Sequence, residues 1–285
     1  MPTYSTPTPI DLAVHLPVGA LEVIASDRAD TVVTVTATNP ATAVDRRGAD
    51  ETAVTLDGQR LTITGPKPRF SVIGPTESID VKVEVPNGSR LTAEVSAGAV
   101  RTTGLLGATR IKASMGPVDV DCTGDLWIRN GHGSTTVSSA DGSVEITADH
   151  GQIRLDTVTG NAILKASHGS IRVGESGGEL DAKLSYGDLE ISKALASFAA
   201  KTAYGSIHLD EVSSGSIQVE SGYGQVTIGV RPGVSAWLDL ASKAGHVRNH
   251  LDGDTAPDAS ENTVAVRART QYGDITIQRS KGNKS

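Results

Sequence analysis

From Gly142 the chain alternates. Val144, Ile146 and Ala148 are apolar, and Glu145, Thr147 and Asp149 between them are polar. The same pattern returns after Gly160 with Ala162, Leu164 and Ala166, and after Gly215 with Ile217 and Val219. A period of two predicts strands with one face buried and one face wet. A second strand follows each of these. His150-Gly151-Gln-Ile153-Arg-Leu155 is matched by His168-Gly169-Ser-Ile171-Arg-Val173 and Tyr186-Gly187-Asp-Leu189-Glu-Ile191. Tyr204-Gly205, Tyr223-Gly224 and Tyr272-Gly273 open further copies, and Met115-Gly116 an earlier one.

The glycines of this motif fall at 98, 116, 133, 151, 169, 187, 205, 224, 245 and 273, in steps of 18, 17, 18, 18, 18, 18, 19, 21 and 28. A period held that long marks a repeat architecture. Each repeat is a rung of two strands with a glycine corner after each. One rung cannot bury its own apolar face, so rungs must stack and share backbone hydrogen bonds. Like residues recur at eighteen positions rather than nine, which favours parallel, in-register stacking over a hairpin meander. The predicted fold is all-β: a parallel β-helix or β-solenoid of two-strand rungs of about 18 residues.

Residues 1–90 are β-rich without the period, and read as a less regular N-terminal cap. Ile10–Val14, Ala20–Ile24, Thr31–Val35, Ala53–Leu56, Leu61–Ile63 and Ile79–Val85 read as strands. Pro86-Asn-Gly88 reads as a turn and Arg69 to Glu77 as a mobile loop. The repeat region is expected over 91–280, continuous with the cap, and 281–285 is a tail. No segment shows a helix period of useful length.

Composition sharpens this picture in two ways. Aromatic residues are only 3 % and glycines number 31, which suits thin aliphatic layers and frequent corners. The net charge of −7 argues against nucleic acid as a partner, since phosphate binding draws on clustered Lys and Arg. Cys122 is the single cysteine, so no intrachain disulfide forms, and a buried small hydrophobe is its expected role. The N-terminal residues have neither the basic start nor the apolar run of a secretory signal. No stretch is long and apolar enough for membrane insertion. The expectation is a cytoplasmic protein.

The Gly-x-aliphatic-x-aliphatic repeats, the Pro9-Ile10 to Ile24 strand pair and the segment Val264 to Ile277 resemble the bacterial β-strand-repeat adhesin-type family. That family is a toastrack-like domain of unknown function. The resemblance spans nearly the whole chain and implies a bacterial β-solenoid with no established activity.

The residue before each glycine forms a column: His132, His150, His168, Tyr186, Tyr204, Tyr223, then Tyr272. Three stacked histidines have the donor chemistry for a metal. Their parity follows the inward positions Val144, Ile146 and Ala148, so the reading taken is a structural corner stack that shields the core edge. Lys165, Lys183 and Lys201 align outward on one strand, and Arg154 and Arg172 align on the other. These columns read either as a solvated face or as a binding stripe for an acidic partner. The acidic loop bearing Asp252, Asp254, Asp258 and Glu261 reads as solvated.

Gly174-Glu-Ser176-Gly-Gly178 fits the pattern of a nucleophile elbow, but that device needs a following helix, and here another rung follows. No catalytic residue, cofactor or metal is expected. The expected function is a non-catalytic interaction scaffold whose partner is another protein or a second copy. A polysaccharide-active β-helix enzyme is the alternative, and it would require converging carboxylates in a groove.

Overall fold

The computed structural model describes residues 2–66, 77–251 and 263–280. It divides into two compact units, 1–141 and 142–285. The Arg69 to Glu77 segment (Glu77 excepted), the acidic residues Asp252, Asp254, Asp258 and Glu261, and the 281–285 tail lie outside the described residues.

Unit 1 contains β1 (Thr3–Ser5), β2 (Asp11–Val18), β3 (Leu21–Ser26), β4 (Asp30–Ala37), α1 (Ala43–Glu51), β5 (Ala53–Asp57) and β6 (Arg60–Thr64). It continues with β7 (Ile79–Pro86), β8 (Arg90–Ala97), β9 (Val100–Thr103), β10 (Thr109–Met115), β11 (Val118–Thr123), β12 (Leu126–His132) and β13 (Thr135–Ala140). One sheet runs β1-β4-β7-β3-β9-β11-β13, the other β5-β6-β2-β8-β10-β12. The pairs β1/β4, β4/β7 and β5/β6 are antiparallel. The other described pairs in this unit are parallel.

The regular stacking starts earlier than the sequence spacing shows. Val18 pairs with Ala97 and Leu21 with Val100, so β2 and β3 form a rung in register with β8 and β9. The long β4-to-β7 excursion hides this rung from a search for fixed steps.

The helix α1 departs from the expectation of no helix. Its nine residues carry Gly48 and no apolar stripe, so neither propensity nor periodicity announces it. Tertiary contacts hold it instead. Asp45 accepts hydrogen bonds from the backbone N–H groups of Asn39 (3.1 Å) and Ser78 (3.0 Å).

Unit 2 contains β14 (Val144–His150), β15 (Ile153–Val158), β16 (Ala162–His168), β17 (Ile171–Ser176), β18 (Leu180–Tyr186), β19 (Leu189–Ala194) and β20 (Phe198–Tyr204). β21 (Ile207–Val212), β22 (Gly215–Tyr223), β23 (Val226–Val230), β24 (Ser235–Ala244), β25 (Val247–Asn249), β26 (Thr263–Tyr272) and β27 (Ile275–Arg279) complete it. Its sheets run β14-β16-β18-β20-β22-β26-β24 and β15-β17-β19-β21-β23-β27-β25.

The described pairs of unit 2 are all parallel. Ile153 faces Ile171, and Ile171 faces Leu189. The predicted two-strand rung is what the structure shows, and the side chains pointing between the sheets form the aliphatic core.

Two details depart from simple alternation. In β15 the inward residues are Ile153, Leu155 and Val158, and β11 follows suit with Val118, Val120 and Thr123. The strand bends after its second inward residue and sends two successive side chains outward. That bend leaves Cys122 only partly buried, not the core residue expected. The second departure is topological. β26 and β27 lie between the β22/β23 rung and the β24/β25 rung, so the last rung in sequence is not the last in space.

Candidate functional site

The site is built from columns on the outer face of the β14-to-β24 sheet. Parallel in-register pairing sets Lys165 beside Lys183, and Lys183 beside Lys201. The column ends at Glu220. Each lysine has an acidic neighbour: Glu145 at 3.9 Å, Asp181 at 3.0 Å and Glu220 at 2.9 Å respectively. The lysines nonetheless keep 48 %, 58 % and 68 % of their side-chain surface exposed, and an ammonium has three donors to share. A shallow groove of about 360 Å³ runs along this column, lined on its other side by Ser167, Ser185 and Ala203.

One residue beyond that serine column stands the ring ladder. His150, His168, Tyr186, Tyr204, Tyr223 and Tyr272 stack with centroid separations of 4.8, 5.1, 5.0, 4.9 and 4.7 Å and planes within 7° of parallel. The spacing is that of neighbouring strands. The tyrosines are 47–49 % exposed, so the column does not seal the core edge as its parity suggested. The ladder of hydrogen-bonded pairs lapses at Asp149 and Ser167. The strand turns there, and the next ring swings to the surface.

His132 belongs to unit 1, at the end of β12 beside Met115. The corresponding unit 1 positions hold Val18, Ala97 and Met115, so no tyrosine ladder forms there.

The arginines lie on the other sheet and do not join the lysines. Arg154 pairs in register with Arg172. Arg154 donates to Asp156 at 2.8 Å, and Arg172 to Glu190 at 2.7 Å. The Glu190 bond holds the Arg172 guanidinium above its usual pKa. These charges are satisfied within the sheet face.

Ser176 is buried on β17 and donates to the carbonyl of Gly178, so it has no access to a substrate. Burial, and then the neighbouring Asp121 carboxylate, push the Cys122 thiol pKa up, which makes it a poor nucleophile. Among the described residues no group of three or more His, Cys, Asp or Glu side chains could hold a metal. No described helix is long and apolar enough to cross a membrane.

Sequence reasoning found both columns but missed the groove floor and the acidic partners of the lysines. The second was legible: Asp181 stands two positions before Lys183, on the same side of one strand.

A family model matches residues 20–285, and its description is Toastrack DUF4097. The chain belongs to the Toastrack DUF4097 family. The toastrack assignment agrees with two sheets of stacked parallel strands. A crystal structure of a "putative cell adhesion protein" from Clostridium sporogenes is similar at 12 % identity, covering 96 % of this chain and 94 % of that one, with a TM-score of 0.21. No curated protein matches this toastrack chain.

Proposed function

We propose that this toastrack chain is a non-catalytic interaction scaffold, adhesin-like in architecture. Its partner is a protein that lays an acidic, extended surface along the lysine groove of unit 2. The observation that carries this reading is the paired repeat of Lys165, Lys183 and Lys201 with the half-exposed ring ladder, both at the strand spacing. An extended partner meets the same two chemistries, ammonium and ring edge, at each of the three lysine-bearing rungs. Repetition of weak contacts gives binding without a deep pocket.

Nothing favours the enzyme alternative. The carboxylates beside the groove, Glu145, Asp181 and Glu220, are tied to lysines.

Poly-L-glutamate is a suitable acidic probe, with binding read by fluorescence polarisation. The intact chain should bind it, more weakly as salt rises. Joint replacement of Lys165, Lys183 and Lys201 by Glu should abolish binding while leaving the circular dichroism spectrum unchanged. Equal binding by that variant would refute the reading.

A further inference from the structure

We propose that the chain forms a symmetric dimer by joining the outer edge of β24 to the same edge of a second copy, antiparallel, with the two-fold axis at Leu240. Among the described residues β24 is the last strand of its sheet and pairs only with β26. In a parallel ladder each residue turns its N–H and C=O to one side, and successive residues alternate sides. The N–H of core-facing Val144 donates to Asn161, and that of Ala162 to Glu179, so core-facing residues bond to the neighbour further from β14. In β24 those residues are Ala236, Leu238, Leu240 and Ser242. Their backbone groups therefore point at the outer edge, where no described strand meets them. Their side chains are only half-buried, whereas their counterparts Val264, Val266, Ala268 and Thr270 on β26 are buried.

Exposed edges normally carry a device against pairing, such as a proline, a bulge or a lone charge. β24 has no proline and no register shift. Its one acid, Asp239, is neutralised by Arg267 at 3.0 Å and Arg269 at 2.8 Å, which leaves Lys243, near its C-terminal end, as the strand's remaining charge. Trp237 stands 79 % exposed beside it.

Charge selects the register. A two-fold axis at Asp239 would set Asp239 and its two arginine partners against the same group of the second copy, and would leave Trp237 opposite Ala241, which offers it no cation. An axis at Ala241 would leave Trp237 opposite Gly245, beyond the strand. An axis at Leu240 places Leu240 on Leu240, Leu238 opposite Ser242, and each Trp237 opposite the second copy's Lys243. An ammonium over an indole is attractive, and the isologous contact closes after two copies.

Size-exclusion chromatography with light scattering should give the mass of a dimer. Lys243→Glu, on an exposed side chain, should weaken dimerisation about tenfold without altering the fold. Leu240→Cys, in a Cys122→Ser background, should yield a disulfide-linked dimer on oxidation, because opposed Cα atoms in a hydrogen-bonded antiparallel pair lie about 5.5 Å apart. A monomer at every concentration would overturn the proposal. So would an open polymer, or a dimer that ignores Lys243→Glu and forms no crosslink.

Discussion

Tyr223 stacks directly on Tyr272, with ring centroids 4.7 Å apart, although the whole 235–249 rung intervenes in the chain. The contact exists because β26 inserts between β22 and β24. Tyr223 also stacks on Tyr204 at 4.9 Å, so it joins a sequence-adjacent rung to a sequence-distant one. Aromatic pairs of this kind contribute about 0.5–1.5 kcal/mol each. Tyr223→Ala, which forfeits two of them, should destabilise unit 2 by about 1–3 kcal/mol in urea titration. Tyr223→Phe keeps both ring contacts on a half-exposed side chain and should cost less than about 0.5 kcal/mol. An equal loss for both variants would mean that the hydroxyl, not the stack, carries the contribution.

The glycine corners set the tightest constraint on the repeat. Gly187 has φ of +139°, and a Cβ there would lie 2.0 Å from the carbonyl oxygen of Gly169 on the preceding rung. Two penalties coincide: an unfavourable backbone region and a collision with a backbone atom that cannot move without unstacking the rungs. Gly58 is the natural control, since its φ is +57° and its Cβ would meet nothing within 4 Å. Gly187→Ala should cost more than about 3 kcal/mol, and Gly58→Ala about 1 kcal/mol. The midpoints of urea unfolding curves test this ranking.

The same corners explain how much of the fold was legible. A residue that must be glycine for local and stacking reasons recurs at a fixed step, so the rungs of unit 2 stand out in the sequence. The ring and lysine columns followed because in-register stacking turns sequence period into spatial neighbourhood. What stayed hidden depends on tertiary context. The β2/β3 rung is separated from β8/β9 by a long excursion. The insertion of β26 leaves only a faint trace, Ala244 where the other corners of this column in unit 2 carry a ring. α1 has no pattern of its own, and the outward placement of Cys122 follows from a strand bend that alternation does not encode. The groove beside Lys183 needs Ser167, Ser185 and Ala203, from three strands, side by side, which no single strand reveals.

Asp45 shows how strongly one side chain can fix an element that propensity does not. The backbone N–H of Ser78 and then that of Asn39 hold its carboxyl below the usual carboxylate range. Both bonds favour the ionised form. A depressed folded-state pKa contributes stability that is complete above the unfolded-state value and disappears as pH falls through the folded one. Glu84, lowered by its bond to Arg28, acts in the same direction. Stability of unit 1 should therefore decline on acidification below the usual carboxylate range. Asp45→Asn keeps the shape but not the charge, so it should lower the melting temperature at neutral pH. The gap to the parent chain should narrow as pH falls and the parent's own carboxylate is protonated. Melting followed by circular dichroism at neutral and acidic pH measures the gap. A gap that stays constant would show that Asp45 acts through shape alone.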